Sequence, residues 1–246
     1  MGAALALAVP LAALAQLSNK ELDTPYVPTP QVVVERMLGM AEVKAGDVLI
    51  DLGSGDGRLV ITAAQKYGAR GFGVEIDPRL VSRSNQAAER AGVADRVKFL
   101  RQDLFDTDFH EADVLTLYLL PDVNMALRPK ILAELKAGAR VVSHDYDMKE
   151  WRPDALAKVA APDKTVGFRK ESVVYLWIVP AKVAGTYRTS LGTVTLEQKY
   201  QKLTGTLASG GRSAPLAGAV RGEEISFTSG GRNYTGRMRE GVLELR

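Results

Sequence analysis

The chain has 246 residues, of which 46% are hydrophobic and 25% are charged, and its net charge is only +3. This length suits one large or two modest globular domains, and the small net charge does not by itself indicate nucleic-acid binding. The absence of cysteine excludes disulfides, thiolate metal sites and a cysteine nucleophile, and the presence of only two histidines argues against a histidine-based metal site. No metal is expected.

Residues 1–17 are predicted to be a separate apolar segment. Residues 3–15 are entirely apolar, interrupted once by Pro10, and they end in Ala13-Leu14-Ala15, the A-x-A form of a signal cleavage site. A bilayer span needs about twenty residues, so this run is too short to cross one. The pattern favours a secretory signal or a hydrophobic anchor, although nothing basic precedes it, and a helix packed against the body is the alternative. A cell-envelope location follows from the first interpretation and a cytoplasmic one from the alternative.

Residues 18–46 are predicted to be a linker and a first helix. The linker carries Tyr26-Val27-Pro28 and ends at Thr29 and Pro30. Thr29 is expected to cap a helix whose first residue is Pro30, because a hydroxyl can accept from a free backbone N–H and proline needs no partner there. Apolar residues then recur at helical spacing to about residue 41.

Residues 48–57 combine an apolar strand with a glycine-rich loop. The strand is rich in branched residues and ends near Asp51, which is typical of a strand buried on both faces. Three glycines follow at every second position: Gly53, Gly55 and Gly57. Glycine permits a sharp turn, a close approach of backbone to a ligand and entry into a helix N-terminus. The next strand ends in Glu75, at about the spacing at which α/β nucleotide folds place a ribose-binding carboxylate.

The glycine spacing indicates which nucleotide is bound. A dinucleotide fingerprint requires a third glycine where this chain has Arg58. The Asp-x-Gly-x-Gly-x-Gly pattern instead resembles the first motif of class I S-adenosylmethionine (SAM) methyltransferases. The resemblance implies that Glu75 binds the ribose and that Asp103, after the third strand, binds the adenine amino group; alternatively, Asp103 only begins a turn. The SAM-binding residues that it implies are Asp51, Gly53, Ser54, Gly55, Gly57, Glu75, Ile76, Asp103, Leu104 and Tyr118.

Residues 47–181 are predicted to form a doubly wound α/β core. Strands are expected near residues 47–52, 70–75, 96–102, 113–119 and 138–144, and helices near residues 57–67, 78–92, 122–136 and 152–160. Two further extended runs, at residues 165–169 and 172–179, are too close for a helical crossover and are expected to pair as an antiparallel hairpin. Class I methyltransferases end their sheet in this way, so the resemblance implies a Rossmann-like sheet of seven strands.

Residues 182–246 are predicted to form a small antiparallel β-sheet or barrel module. Short alternating runs are separated by glycine-rich turns, and Ser209-Gly210-Gly211-Arg212 recurs as Ser229-Gly230-Gly231-Arg232, which indicates repeated hairpins. The module has ten basic against five acidic residues. This excess either meets an acidic partner or belongs to a solvated sheet face.

The sequence after the fourth predicted strand bears on the acceptor. Methyltransferases that act on the amino groups of adenine, cytosine or glutamine carry an Asn/Asp-Pro-Pro-Tyr/Phe clamp there, which holds the planar nitrogen. This chain has Tyr118-Leu119-Leu120-Pro121-Asp122 instead. A planar base or amide nitrogen is therefore disfavoured as the acceptor, and no nucleic-acid partner is expected.

Three further elements point to a narrower resemblance. They are Tyr26-Val27-Pro28, the Gly-Ala-Arg-Val-Val-Ser run at residues 138–143, and Trp151-Arg152-Pro153. Together with the loop, they resemble the seven-strand protein-lysine methyltransferases whose mitochondrial members modify the ATP synthase c subunit and the adenine nucleotide carrier. The resemblance covers about residues 24–180. The mitochondrial members have a longer membrane segment and lack a module like residues 182–246.

The resemblance implies a SAM-dependent N-methyltransferase that acts on a lysine of a protein substrate. Tyr26 and Tyr118 are then the candidate walls of an acceptor channel, and His144 is a candidate proton acceptor. The alternatives are core packing for Tyr118 and a structural hydrogen bond for His144. Methylation of a small molecule, or an inactive SAM-binding envelope protein, are the competing functions. A membrane contact through the N-terminal segment also stays open.

Overall fold

The computed structural model describes residues 26–167, 169–239 and 241–245, and these form two seven-stranded β-sheets. The predicted apolar segment at residues 1–17 lies outside the described residues. Within the described ranges, no helix is long and apolar enough to span a membrane.

The first sheet has the strand order β3-β2-β1-β4-β5-β7-β6. Its strands are β1 (Val48–Leu52), β2 (Arg70–Glu75), β3 (Val97–Arg101), β4 (Val114–Leu117), β5 (Arg140–His144), β6 (Ala155–Ala160) and β7 (Glu171–Ile178). The strands β1 to β5 are parallel, whereas β7 runs antiparallel to both β5 and β6. The order reverses beside β1, so a crevice is expected at the carboxyl ends of β1 and β4. This confirms the predicted Rossmann-like methyltransferase sheet.

Helices cover both faces of this sheet. They are α1 (Gln31–Met40), α2 (Arg58–Tyr67), α3 (Pro78–Arg90) and α4 (Pro121–Glu134). Successive strand residues point to opposite faces. In β1, therefore, Leu49 packs with α1, α2 and α3, whereas Ile50 packs in the cluster that contains α4. A sheet covered on both sides requires the continuous apolar strands seen in the sequence.

The predicted helix at residues 152–160 is wrong, and so is the strand at residues 165–169. Residues of the first segment form β6, which pairs with β7, and residues 161–167 and 169–170 lie in the loop between them. Alanine, leucine and lysine favour a helix, but Asp154 joins this segment to β7: its N–H donates to the carbonyl of Leu176, and its carboxylate accepts from the N–H of Ile178. Tertiary pairing thus overrides local propensity.

The expected helix cap at Thr29 is also wrong. Helix α1 begins after Pro30 and has no side-chain cap. Thr29 is buried, and its hydroxyl lies 3.3 Å from Nδ1 of His144.

The second sheet is antiparallel throughout and has the order β14-β13-β12-β11-β10-β9-β8. Its strands are β8 (Gly185–Thr189), β9 (Gly192–Lys199), β10 (Lys202–Ser209), β11 (Arg212–Arg221), β12 (Glu224–Ser229), β13 (Arg232–Arg239) and β14 (Val242–Leu245). Alternate side chains fill one interior, and β14 also contacts β8, so the sheet curls almost into a barrel. The repeated Ser-Gly-Gly-Arg motifs are two-residue hairpin turns with both glycines at positive φ, as predicted.

The second sheet packs against the edge of the first sheet that lies opposite the glycine loop. The ring of Tyr200 stacks on Trp151 at 6.5 Å between centroids, and the guanidinium of Arg128 lies 5.3 Å from the centre of the same ring. A Cβ at Gly222 would lie 3.2 Å from the Cα of Gly138, which precedes β5. A cleft of about 380 Å³ opens at this junction. The module therefore contacts the core far from the carboxyl ends of the strands.

Candidate active site

The glycine loop has a backbone that requires its glycines. Gly53, Gly55 and Gly57 have φ values of 74°, 55° and 81°, which L side chains rarely adopt. A Cβ at Gly55 would lie 2.6 Å from Cε2 of Tyr26, and a Cβ at Gly57 would lie 2.5 Å from Cζ of Phe99. The loop is fixed to the neighbouring strand, since the N–H groups of Gly53 and Ser54 both donate to the carbonyl of Val74. It leads directly into the N-terminus of α2, where backbone donors favour an anionic or polar ligand.

Glu75 lies beside this loop at the end of β2. Its Oε2 accepts from the N–H of Gly55 at 3.0 Å, and its Oε1 accepts from the N–H groups of Ile76 and Asp77 at 2.8 and 3.0 Å. Backbone donors thus fix the carboxylate, and its remaining lone pairs can accept from the hydroxyls of a ribose. The side chain of Ile76 is 62% exposed, so an apolar surface is available next to Glu75.

Asp51 is a buried carboxylate at the end of β1. The hydroxyl of Thr116 donates to it at 2.6 Å, and no cationic side chain in the described ranges pairs with it. Burial raises the pKa of Asp51 to about 7, and the nearby charge of Glu75 adds to the rise. The hydroxyl of Ser54 is likewise buried, and it has no hydrogen-bond partner among the residues that the structure describes. A buried anion without a cation, beside an unpartnered hydroxyl, is the environment that a ligand with an ammonium group would complete.

Asp103 follows β3 and precedes a short 3-10 helix, Leu104–Asp106. Its Oδ1 accepts from the N–H of Phe105 at 2.9 Å, so the carboxylate does begin a turn. The N–H of Gln102 donates to the carbonyl of Glu75, which keeps this turn at the same edge as the glycine loop. An adenine-binding role for Asp103 and Leu104 therefore stays a prediction.

Tyr118 follows β4 and is half-buried. Its ring centroid lies 3.9 Å from that of His144 and 6.4 Å from that of Tyr146. Burial raises the pKa of Tyr118 to about 12, and the charge of Asp145 acts in the same direction. The phenol is therefore neutral at physiological pH, so it can serve as an apolar wall and a hydrogen-bond donor.

His144 is fully buried behind Tyr118. Its Nδ1 lies 3.3 Å from the hydroxyl of Thr29, and its Nε2 lies 2.8 Å from the hydroxyl of Ser172. Burial lowers the pKa of His144, so the imidazole is neutral near pH 7. Since both ring nitrogens are engaged and the residue is inaccessible, His144 supports Tyr118 and does not face the crevice.

Asp145 adopts φ = 63° directly after β5. Its carboxylate accepts from the N–H of Val173 at 2.9 Å and pairs with the ammonium of Lys164 at 2.6 Å. Both partners lie on the β6–β7 hairpin, so Asp145 fixes the hairpin to the end of β5. A non-glycine residue in the left-handed region is a common sign of a constrained functional site.

Tyr26 lies over the glycine loop. Its ring covers Gly55, and its side chain is 41% exposed. Burial raises the pKa of Tyr26, and the neighbouring carboxylate of Asp56 raises it further. The structure thus places Tyr26 on the glycine loop and Tyr118 against His144, and a shared acceptor channel between them stays a prediction.

The sequence did not reveal the contacts of Thr29 and Arg58. Arg58 donates from Nη1 to the carbonyl of Thr29 at 2.8 Å, and its Nε and Nη2 donate to Asp56. Asp56 and Arg58 are two positions apart, so their pairing could have been predicted from the sequence, whereas the contact of Arg58 with Thr29 could not. No pattern links Thr29 to His144, which is 115 positions away.

The chain is similar to known methyltransferases. A model of the ANTKMT methyltransferase domain matches residues 51–155. A protein-lysine N-methyltransferase of Saccharolobus islandicus is 43% identical over 136 residues, which are 55% of this chain and 84% of that protein. The chain belongs to the methyltransferase family of this protein-lysine N-methyltransferase. It is a SAM-dependent methyltransferase with S-adenosylmethionine as its cofactor.

Two further relatives are matched over different shares of their own length. Mouse adenine nucleotide translocase lysine N-methyltransferase is 36% identical, and the match spans 55% of this chain but only 58% of that protein. The solved structure of an RNA methyltransferase from Salinibacter ruber, in complex with S-adenosylhomocysteine, is 50% identical with a TM-score of 0.59. It covers 64% of this chain and 96% of that one, so more than a third of this chain has no counterpart there.

Metal ligands are not grouped in the described part of the chain. No cluster of three or more histidine, aspartate or glutamate side chains there could hold a metal ion.

Proposed function

We propose that this methyltransferase transfers the methyl group of SAM to the side-chain amine of a lysine in a protein. The observation that carries the proposal is the 43% identity to an archaeal protein-lysine N-methyltransferase over 84% of its length. The half-buried, neutral Tyr118 at the carboxyl edge and the missing amide clamp after β4 support the same acceptor.

The residues present fit the cofactor. Asp51 would hold its ammonium group, the loop at residues 53–57 would accommodate its methionine part, and Glu75 would hold the ribose. Ile76, Asp103 and Leu104 would border the adenine. The orphan hydroxyl of Ser54 and the unpaired buried carboxylate of Asp51 are the two groups that this ligand would satisfy. When bound, SAM supplies a methyl group that its sulfonium already activates.

The protein must then present a neutral amine. A free lysine titrates near pKa 10.4, so it carries a proton at neutral pH. A half-buried pocket bordered by Tyr118 and Pro121 would disfavour the ammonium and lower its pKa. The Tyr118 phenol remains protonated and cannot act as the base, so the proton leaves to water or to another acceptor at the edge. Orientation of the amine is the remaining task of the pocket.

RNA is the second acceptor that a relative suggests, because the Salinibacter protein is described as an RNA methyltransferase. Two features favour lysine. The clamp for planar nitrogens is missing, and residues 1–181 contain 22 basic against 24 acidic residues, so the methyltransferase part lacks the positive charge that phosphate contacts require. Small-molecule methylation and loss of catalysis are the remaining alternatives.

The test is transfer of a radiolabelled methyl group into an extract of the source cells. Label that is lost on protease treatment and retained after ribonuclease treatment supports a protein acceptor. Tyr118→Ala should reduce transfer about tenfold or more, the equivalent of about 1.4 kcal/mol in the barrier, with SAM affinity nearly unchanged. The matched control is Tyr67→Ala at the C-terminus of α2, which should transfer methyl groups at the normal rate. Equal transfer by both variants would remove Tyr118 from the acceptor site.

A further inference from the structure

Residues 26–30, here called the strap, cross the edge of the sheet where the cofactor would bind. At one end, the ring of Tyr26 covers Gly55 in the glycine loop. At the other end, Thr29 is buried against His144 at the end of β5. The strap therefore contacts both the loop after β1 and the residues behind Tyr118.

Arg58 fastens the strap to the glycine loop. Its Nη1 donates to the carbonyl of Thr29 at 2.8 Å, while its Nε and Nη2 pair with the carboxylate of Asp56 at 2.8 and 2.6 Å. The phenol of Tyr26 also lies near this carboxylate, and each group shifts the pKa of the other. One guanidinium thus joins the backbone of the strap to the loop, and its planar fork of donors pairs with both oxygens of the carboxylate, which a single ammonium does less well.

A second Asp-x-Arg pair in the chain shows that a helix can start without an arginine that also bonds to another segment. Asp77 and Arg79 form an equivalent pair at the N-terminus of α3, at 3.2 and 2.9 Å. The side chain of Arg79 is 90% exposed, whereas that of Arg58 is only 31% exposed. Only Arg58 also reaches a carbonyl in another segment.

Thr29 joins the strap to the acceptor side. Its hydroxyl lies 3.3 Å from Nδ1 of His144, whose Nε2 lies 2.8 Å from the hydroxyl of Ser172. The imidazole is thereby held in one orientation, and the ring of Tyr118 packs against it at 3.9 Å. All three hydrogen-bonded residues are buried, so water does not replace these contacts.

We propose that Arg58 and Thr29 are positioning residues for methyl transfer. Arg58 holds the strap over the bound cofactor, and Thr29, through His144, holds Tyr118 at the acceptor. Neither residue touches the reacting atoms. The acceptor half of this inference rests on the proposed function, whereas the cofactor half depends only on SAM binding.

The cofactor half is tested with Arg58→Gln, and Arg79→Gln is the matched control. A hydrogen bond from a charged donor is worth enough to weaken SAM binding by about tenfold or more when the strap is released. Calorimetry should show this weakening for Arg58→Gln and less than about twofold for Arg79→Gln. Arg58→Lys retains the charge but loses the fork, so it should also bind SAM more weakly; it replaces Arg58→Gln if that variant does not fold. Equal SAM affinity of the Arg58 variants and Arg79→Gln would overturn the role of Arg58.

The acceptor half is tested with Thr29→Val, and Thr29→Ser serves as the rescue. At saturating SAM, the single-turnover rate of methyl transfer to the acceptor in the cell extract should fall about two- to tenfold in Thr29→Val, as expected for loss of one neutral hydrogen bond. SAM affinity should be unchanged. Thr29→Ser should restore the rate. Thr62→Val is the control, because Thr62 is also buried and accepts from Gln31 but does not reach His144. A normal rate for Thr29→Val, or an equal loss for Thr62→Val, would overturn the role of Thr29.

Failure of the proposed function can be told apart from failure of this inference. If the wild-type protein labels an acceptor other than lysine, the proposed function is rejected, but the SAM affinities of the Arg58 and Arg79 variants still decide the role of the strap.

Discussion

Asp51 is a carboxylate whose ionisation should be coupled to cofactor binding. It is 3% exposed, and its pKa of about 7 reflects burial without a cationic partner. An ammonium group placed beside it would favour the ionised form, and the pKa would fall. A fraction of the protein near neutral pH would then release a proton as SAM binds.

SAM affinity should therefore rise by roughly fivefold between about pH 6 and 7, because a smaller fraction of Asp51 must lose its proton on binding at the higher pH. The rise should stop where free α-amino groups lose their own proton, near pKa 7.7–8.0. Calorimetry in two buffers of different ionisation enthalpy measures the released proton directly. Asp51→Asn should bind weakly and show no such dependence over this range. A flat affinity profile for the wild-type protein would show that Asp51 does not meet the ammonium.

The two histidines of the chain should influence stability in opposite directions. Histidine in the unfolded chain takes up a proton near pH 6.5, but burial lowers the pKa of His144 in the folded state. The unfolded state thus binds more protons below pH 6.5, so His144 lowers stability as the pH falls from neutral. His110 is exposed, and Asp108 raises its pKa, so its contribution has the opposite sign.

Urea denaturation can isolate the effect of His144. The wild-type protein should lose about 1 kcal/mol more stability than His144→Gln between about pH 7.5 and 5.5. His110→Gln serves as the control and should lose at least as much as the wild-type protein. Parallel losses in the wild-type protein and His144→Gln would mean that the imidazole takes up its proton in the folded state.

Among the elements, those with their own local signals were predicted to within a few residues. Helix α3 begins at Pro78 with the side chain of Asp77 as its cap, and α2 begins after the left-handed Gly57, so both starts are visible in the sequence. The parallel strands β1 to β5 are short apolar runs at the expected spacing. Strand β6 has no such pattern, because an edge strand of alanine, leucine and lysine takes its conformation from β7 alone.

The carboxylate of Asp154 should therefore contribute more to the free energy of unfolding than its sequence context suggests. It accepts from the N–H of Ile178 at 2.7 Å and fixes the start of β6 against β7. Asp154→Ala would leave this donor partly buried and unpaired, which should cost about 1–2 kcal/mol in the free energy of unfolding. The control is Asp163→Ala on the exposed β6–β7 loop, with an expected change within about 0.5 kcal/mol. Urea denaturation distinguishes the two, and equal changes would contradict the assigned pairing.

The sequence predicted only those residues of the candidate site that end or directly follow a strand. Asp51, Glu75, Asp103, Tyr118 and His144 all end or follow parallel strands, so topology alone gathers them at one edge. Their partners could not be predicted. Thr29 meets His144 across a long stretch of chain, and Asp145 meets Lys164 beyond strand β6; such contacts depend on the packed fold.

At the scale of the whole molecule, the two sheets form separate hydrophobic clusters with a small shared junction. The contacts of Tyr200 with Trp151 and of Gly222 with Gly138 lie at the amino edge of the first sheet. The predicted cofactor residues lie at the carboxyl edge. In this position, the module can serve for attachment or can bind a partner without blocking the crevice.

A chain that ends near Val183 should still bind SAM with nearly wild-type affinity, because no predicted cofactor residue contacts the module. Its stability should fall, since loss of Tyr200 uncovers Trp151, which is otherwise fully buried. Calorimetry with SAM and thermal unfolding provide the two readouts. An insoluble truncated protein would show that the two sheets are one cooperative unit, contrary to the predicted boundary at residue 182.

The amino acid that carries the label decides whether the methyl group is transferred to lysine. The wild-type protein is incubated with an extract of the source cells and radiolabelled SAM, and labelled proteins are hydrolysed and analysed by mass spectrometry. We expect methylated lysine, and its amount should drop sharply with Tyr118→Ala. Label in arginine, glutamine, RNA or small molecules alone would contradict the lysine assignment.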